Sequence, residues 1–501
     1  MNQPRSSLTL HAIKGILWTS LAMGTQALLQ IVAMIVMARL LSPNAFGLFA
    51  ASLLVIGFGS IFSELGVGPA IVQRADLEER HIRVAFTLSL LMSAPVVLLI
   101  WLGAPVIAGF FGMPELIPIV RVICVVCICH AVSLVAESLA QRELRFRWLA
   151  GVDAIGFGFG FIIVGPALAL AGWGVWALVA AQVAQYGVRT LTLLIGQPHS
   201  KRLLLDREAA KHLLYFGGGF TLARIGNYLA GRGDNLVVGH MLGAQALGLY
   251  AHAFQMMAAP AMLVGQVLDR VLFPTMALVQ LNPARLGQAY RSGISVCALL
   301  ILPASLIIAV VAPEIIFVLL GPAWMGVVAP FQILAVGMLF RTSYKLSDSV
   351  ARATGAVYNR AWRQAIFAVA VLLGSLIGQF WGVEGVAIGV SAAIALNFFL
   401  MASLSLRLTH LSAKEFLLSH SPAAALSAVT VPVAWMCAQY LRHSGVSPLV
   451  ILLNVCLVSG CMGILLCWIS PLAFLGRDAQ SVLKTVLPAR GWWIFRRFAR
   501  S

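Results

Sequence analysis

The chain has 501 residues, of which 60% are hydrophobic and 10% are charged. A soluble globular protein has about 25% charged residues, so an assembly of soluble domains is excluded. A disordered chain is also excluded, because disordered chains are poor in apolar residues. The net charge of +17 is typical of a membrane protein whose cytoplasmic loops collect Lys and Arg. The sequence has no basic run beside a soluble fold, so a nucleic-acid partner is not indicated.

Fourteen apolar stretches are long enough to cross a bilayer as helices, which takes about 20 mostly apolar residues. They lie near 15–39, 44–68, 84–111, 116–139, 148–171, 173–195, 212–239, 246–279, 290–312, 326–351, 361–380, 383–406, 419–441 and 448–470. The first has no clear small-residue cleavage site, so we interpret it as a retained helix and not as a signal peptide. The sequence predicts an all-α polytopic membrane protein with 14 transmembrane helices.

Basic residues between the spans fall almost entirely on one side of the membrane if the spans alternate in direction. That side begins with Arg5 and Lys14 and ends with the C-terminal tail, whereas the opposite side holds Arg39 and Arg442. Cytoplasmic loops carry the excess of Lys and Arg, which predicts that both termini are cytoplasmic. The tail mixes Trp and Phe with Arg, a pattern that favours a helix on the anionic leaflet; a disordered basic tail is the alternative.

A weak internal repeat organises the chain. Residues 38–50 (ARLLSPNAFGLFA) align with 239–251 (GHMLGAQALGLYA). Six helices separate the copies, so both enter the membrane in the same direction, as in transporters built from parallel repeats. We predict two six-helix lobes that form a central cavity: an N-lobe over 1–195, a linker over 196–211, a C-lobe over 212–407, helices 13 and 14 over 408–470 and a basic cytoplasmic or interfacial tail over 471–501.

Several charged residues lie inside the predicted spans, where each costs about 2.5–3.5 kcal/mol if it faces lipid. Arg341, Lys345, Asp348 and Arg352 are spaced by 4, 3 and 4 residues, so they share one stripe of helix 10. The equivalent positions of helix 4 in the repeat carry His130 and Glu137. These polar residues are therefore expected to line a cavity.

We predict that the cavity cations contact the substrate, and that the acids line the cavity or hold a coupling ion. The cations are Arg224, Arg341, Lys345, Arg270 and Arg232; the acids are Glu64, Glu137, Asp234, Asp269 and Asp348; His130 is a further polar residue of the cavity. Arg224, Arg341 and Lys345 have few acids near them in sequence and are favoured for substrate contact. A positive cavity attracts an anion, and the planar fork of Arg suits phosphate.

Structural explanations of the same residues stay open. Asp269 and Arg270 are adjacent and could mark a helix end, and Arg232 could pair with Asp234 near the outer boundary. His130, Glu64 and Glu137 could be satisfied polar groups of the core.

Metal, nucleotide and catalytic sites are not indicated. Cys124, Cys127 and Cys129 have CxxCxC spacing, but no second Cys or His pair completes a tetrahedral site, and we interpret them as small buried side chains. The chain has no GxxxxGK[ST] loop of the kind that binds nucleotide phosphates. The predicted outer loops are too short to form a domain that could contain an active site. We therefore predict neither a cofactor, a metal nor catalytic residues.

Three segments resemble Wzx-type polysaccharide flippases, in the colanic-acid-exporter-like branch of the multidrug/oligosaccharidyl-lipid/polysaccharide (MOP) superfamily. They are ARLLSPNAFGLFA, GRGDNLVVGHMLGAQALGLYAHAFQM (231–256) and FPTMALVQ (273–280). The resemblance implies a bacterial inner-membrane protein that moves an undecaprenyl-pyrophosphate-linked oligosaccharide to the periplasmic leaflet for exopolysaccharide or lipopolysaccharide biosynthesis. It implies membrane lipids and a polysaccharide polymerase or export machinery as partners, and Asp234 matches an Asp that such proteins commonly carry.

Three other functions remain as alternatives. A peptidoglycan-precursor flippase shares the pyrophosphate lipid but matches the three segments less well. A multidrug or small-solute antiporter of the same architecture is expected to have an acidic cavity, and the buried Arg residues argue against it. A membrane-bound glycan polymerase or ligase is expected to have a large periplasmic loop, whereas the longest outer loop here, Ala312–Met325, is short and carries Glu314 as its charged residue.

Overall fold

The computed structural model describes residues 29–64, 66–74 and 76–486, without the side chains of 209, 212–220, 222–223, 263–264, 266–274 and 483–486. Every regular element in this part of the chain is a helix. Most of the first predicted span and the end of the tail, 487–501, lie outside the described residues. The prediction of an all-α membrane protein is confirmed.

The helices follow one another with short connections. They are α1 Leu29–Leu40, α2 Pro43–Glu64, α3 Val67–Gln73, α4 Glu79–Phe111, α5 Leu116–Arg142, α6 Phe146–Leu170, α7 Val175–Gly196, α8 Arg207–Leu278, α9 Pro283–Val310, α10 Ala312–Leu319, α11 Val328–Val336, α12 Met338–Ala353, α13 Val357–Gly378, α14 Gly382–Thr409, α15 Ala413–Leu418, α16 Ser421–His443, α17 Pro448–Ile469, α18 Pro471–Phe474 and α19 Gly476–Val486.

Two glycines break helical stretches where the sequence places boundaries between spans. In α8, Gly243 has φ 84° and ψ −178°, so one helical stretch contains the two spans predicted at 212–239 and 246–279. Gly382 has φ 69° and follows a tight turn over Gln379–Trp381, which joins α13 to α14. Positive φ is accessible to glycine without steric cost, so each break occurs where the chain can reverse or bend.

Among the described residues, nine helical segments are long and apolar enough to cross a membrane, or ten if the bent pair Pro322–Val336 and Met338–Ala353 forms one span. One of these segments, Val357–Thr409, contains both α13 and α14. The multi-pass architecture is therefore confirmed, whereas the count of fourteen stays a prediction.

The chain forms two compact units that divide after Gly248. In the first unit, α5 packs against α2, α4 and α7, and the hydroxyl of Ser89 on α4 donates to the carbonyl of Ala131 on α5 at 3.0 Å. Apolar side chains of α3, α4 and α5, including Ile71 and Val84, are fully buried between these helices. The lobe boundaries that the repeat indicates are different and stay a prediction.

In the second unit, α9 packs against α12 and α16, and α13 packs against α14. Tyr290 on α9 hydrogen-bonds to Ser347 on α12 at 2.8 Å. Arg442, at the end of α16, donates to both carboxylate oxygens of buried Glu314 at 2.7 and 2.8 Å and to the carbonyl of Val310 at 2.9 Å. The charged residue of the longest predicted outer loop is thus neutralised by the arginine of a later helix.

Candidate functional site

Three of the predicted site residues meet in the first unit and form a cluster of Glu64, His130 and Arg224, here called the acid–base cluster. Glu64 ends α2, His130 lies in α5, and Arg224 lies in α8 before Gly243. Arg224 donates through Nη1 to Glu64 Oε2 and through Nη2 to Oε1 at 3.3 Å. His130 Nδ1 lies 3.5 Å from Glu64 Oε1. One carboxylate therefore faces two basic groups.

Tyr228, one turn after Arg224, attaches this part of α8 to α2. Its hydroxyl donates to the carbonyl of Leu54 at 2.7 Å, and its ring lies 6.1 Å from the ring of Phe58 between centroids. These contacts align the arginine with Glu64. Few acids lie near Arg224 in sequence, but in the structure Glu64, 160 residues away, pairs with it, and no local pattern reveals such a pair.

A second ionic group in the first unit is one that the sequence analysis missed. Arg189 on α7 contacts Glu137 on α5 at 3.0 Å and Asp153 on α6 at 2.7 Å. Glu137 also accepts a hydrogen bond from Gln141 at 3.3 Å. Arg189 lies inside α7, within the predicted span 173–195, and its side chain is 13% exposed. Arg189 therefore connects three helices of the unit, α5, α6 and α7.

Asp234 and Arg232 lie near the end of the first half of α8 and differ in exposure. Asp234 is 2% exposed, and its Oδ1 accepts hydrogen bonds from the backbone N–H and the side-chain amide of Asn235 at 2.8 and 2.9 Å. Arg232 is exposed and lies within electrostatic range of Tyr228. The functional roles predicted for both residues stay predictions.

In the second unit, α12 carries the polar stripe that the sequence predicts. The guanidinium of Arg341 lies over the ring of Phe254 at 4.8 Å, and among the described residues no carboxylate forms an ion pair with it. The side chain of Lys345 runs along the backbone of α8 at Gly265, where a Cβ atom would lie 2.6 Å from Lys345 Cδ. The close approach at Gly265 makes room for the lysine.

Asp348, the third residue of the stripe, is held by two arginines. Arg352 Nε lies 3.1 Å from its Oδ2, and Arg360 of α13 donates to its Oδ1. Its repeat equivalent Glu137 is likewise bound by an arginine of a neighbouring helix. The side chains of Asp269 and Arg270 lie outside the described residues, so their roles stay predictions. Among the described residues no group of three or more His, Cys, Asp and Glu side chains could hold a metal ion.

Long apolar helices that carry paired and unpaired charges inside their spans define a multi-pass membrane transport protein. Residues 36–329, more than half of the chain, match the family model described as polysaccharide biosynthesis protein. The chain belongs to this polysaccharide biosynthesis protein family. The resemblance to Wzx-type flippases is confirmed, and the family places the chain among transporters and not among enzymes.

Curated relatives cover most of the chain at low identity. The teichuronic acid biosynthesis protein TuaB of Bacillus subtilis is 23% identical over 356 residues, 70% of this chain and 72% of its own length. The lipopolysaccharide biosynthesis protein WzxC of Escherichia coli is 25% identical over 407 residues, 79% of this chain and 80% of its own. The succinoglycan biosynthesis transport protein ExoT of Rhizobium meliloti is 26% identical over 296 residues, 59% and 60% of the two chains.

Solved structures share the fold. The lipid II flippase MurJ in an inward closed conformation superposes with a TM-score of 0.74 at 14% identity, over 90% of this chain and 99% of its own. An inward-facing multidrug resistance transporter of the MATE family, within the MOP superfamily, reaches a TM-score of 0.57 at 15% identity over 77% and 96%. The predicted transporter architecture is therefore confirmed at the level of fold.

Proposed function

We propose that this protein moves an undecaprenyl-pyrophosphate-linked oligosaccharide from the cytoplasmic to the periplasmic leaflet of a bacterial inner membrane, where a polymerase extends it. The family and the relatives named for teichuronic acid, lipopolysaccharide and succinoglycan biosynthesis support a saccharide cargo. A saccharide crosses an apolar bilayer only with its polar groups shielded from hydrocarbon. The lipid carrier keeps the cargo in the membrane while the transporter provides the polar path.

The observation that carries this proposal is Arg341, a cation of α12 that lies over an aromatic ring and forms no ion pair with a carboxylate among the described residues. A cation over a ring face keeps its N–H donors available for a further partner. Arg donates paired hydrogen bonds to phosphate oxygens, and Lys345 follows one helical turn later on the same stripe. We assign the pyrophosphate to these two residues.

In this proposal the acid–base cluster couples transport to a proton gradient. A ligand or ion shifts a conformational equilibrium only when its affinity differs between the two states. The Glu64 carboxylate pairs with Arg224 and lies beside His130. Because protonation of Glu64 removes its negative charge, a proton bound there favours a conformation in which Arg224 is released. This step gives a proton gradient a means to set the direction of transport.

The experiment asks which leaflet holds the lipid-linked oligosaccharide in spheroplasts of a strain that lacks the gene. We expect the oligosaccharide on the cytoplasmic side, and on the outer side after wild-type complementation. Arg341→Gln is expected to lower outward transport about tenfold, the effect of losing a hydrogen bond to a charged group. Arg341→Lys is expected to retain more of the activity, because it keeps the charge and loses the paired donors.

Arg121→Gln is the matched control, because Arg121 also lies over an aromatic ring, that of Trp101 at 4.7 Å, but has no assigned contact with substrate. Its transport is expected to be close to wild type. Normal outward movement in the deletion strain, with failure of chain growth alone, would contradict the flippase and favour a polymerase. Equal losses of outward transport in Arg341→Gln and Arg121→Gln would contradict the assignment of the pyrophosphate to Arg341.

A further inference from the structure

Arg341 and Lys345 both contact α8, but at positions that lie far apart along that helix. The guanidinium of Arg341 lies over the ring of Phe254 at 4.8 Å. The side chain of Lys345 lies at Gly265, where a Cβ atom would be 2.6 Å from Cδ and 3.2 Å from Nζ of the lysine. Phe254 and Gly265 are eleven residues apart on α8, about 16 Å along the axis. The two side chains therefore diverge from α12, where their α carbons are one turn apart.

Repulsion between the two cations favours this divergence. Like charges four residues apart on one helix destabilise each other, and the interaction is stronger in a low dielectric than in water. Phe254 supplies a ring face to the guanidinium, and Gly265 supplies an open stretch of backbone to the lysine. These two residues are here called the resting positions of the cations.

Gly265 makes its resting position by having no side chain. The atoms that a Cβ at Gly265 would meet are Cδ, Cε and Nζ of Lys345, the far end of a flexible side chain. An alanine at Gly265 therefore displaces the lysine and leaves the backbones of α8 and α12 in place. At the offset that aligns 38–50 with 239–251, the equivalent of Gly265 in the first repeat is Glu64. The first repeat thus has an acid at this position, whereas the second has room for a cation.

We propose that the two resting positions keep Arg341 and Lys345 apart until a pyrophosphate draws them together, and that this rearrangement selects pyrophosphate over a single phosphate. The inference rests on the proposed function, which assigns the pyrophosphate to these two cations. A pyrophosphate is two phosphoryl groups long, much shorter than the distance between the resting positions, so both cations contact it only after they converge. Its negative charge offsets the repulsion between them.

A single phosphate has less charge and fewer oxygens than a pyrophosphate. It pairs with one cation and leaves the other at its resting position, so it gains nothing from the convergence. Gly265 and Phe254 are positioning residues in this scheme, because they act on the anion through Lys345 and Arg341. The population of converged cations then sets the apparent affinity for pyrophosphate, since affinity scales with the fraction of protein in the binding-competent state.

The test is calorimetric titration of the purified full chain with inorganic pyrophosphate and, separately, with inorganic phosphate. Gly265→Ala removes one resting position and raises the fraction of protein with a released lysine. We expect it to bind pyrophosphate at least about threefold more tightly than the wild type does and to bind phosphate with unchanged affinity. In a Lys345→Gln background the same glycine substitution is expected to have no effect, because the displaced cation is absent.

Gly226→Ala is the matched control, since Gly226 also lies on α8 and a Cβ there meets nothing within 4 Å; it is expected to keep wild-type affinities. Unchanged or weaker pyrophosphate binding in Gly265→Ala would overturn the inference, as would an equal gain for phosphate or a gain that persists in Lys345→Gln. Each of these results leaves the proposed function intact. Pyrophosphate binding that Arg341→Gln does not weaken would instead contradict the site on which both proposals depend.

Discussion

Arginines of the spans are held in three different ways, and each way has different consequences. A carboxylate holds Arg224, an aromatic ring lies beneath Arg341, and Arg363 both donates to backbone carbonyls and lies over the ring of Trp362. A paired cation is neutralised and structural until its acid is protonated, whereas a cation on a ring remains available to an anion. Arg341 is therefore the position of this group to which we assign a phosphate contact.

The pairing of Glu64 with Arg224 predicts a non-additive loss of stability. Glu64→Gln leaves the arginine without its acid. We expect the free energy of unfolding to fall by about 2 kcal/mol, less than the roughly 3–5 kcal/mol of a fully buried pair, because the Arg224 side chain is 34% exposed. The double variant Glu64→Gln/Arg224→Gln is expected to melt above either single variant, since no unpaired charge remains. Thermal melting in detergent measures this cycle, and strictly additive losses would contradict the pairing.

At the scale of helices, local sequence and packing determine different properties. Hydropathy and glycine positions predicted the helices and the tight connection at Gly382. The spacing of Arg341, Lys345, Asp348 and Arg352 placed them in one helix, as α12 has them. The salt bridges of Arg189 with Glu137 and Asp153 were missed, because they depend on how α5, α6 and α7 pack.

The close packing of α13 on α14 predicts that a single methyl group at the contact is destabilising. Gly374→Ala places a Cβ 2.7 Å from a backbone oxygen of the facing helix, which has to move away, and we expect a loss of about 1–3 kcal/mol. Gly460→Ala on α17 meets nothing within 4 Å and is expected to leave the melting temperature almost unchanged. Equal shifts in the two variants would show that the effect comes from helix propensity and not from the contact.

At the scale of the whole molecule, the distribution of basic residues predicts the orientation in the membrane. The connection that contains Ser412 is expected to face the cytoplasm and the one that contains Ser444 the periplasm, and both serines are exposed. The family and the fold establish a multi-pass transporter, but neither sets which side each connection faces.

Cysteine labelling tests this orientation in spheroplasts, in a background where the eight native cysteines are replaced by alanine. A membrane-impermeant maleimide is expected to label Ser444→Cys and to leave Ser412→Cys unlabelled until the membrane is opened. Labelling of Ser412→Cys in intact spheroplasts would reverse the topology and with it the cytoplasmic position of both termini.

Hydropathy and helical spacing are properties of neighbouring residues, so they were enough to predict a membrane protein, the positions of its apolar helices and the polar stripe of α12. Which charges are neutralised depends on contacts between distant helices. Glu64 meets Arg224 across 160 residues and Glu314 meets Arg442 across 128, and the glycines of α13 and α14 meet only when the helices pack. Such contacts depend on packing geometry, which no local pattern in the chain contains.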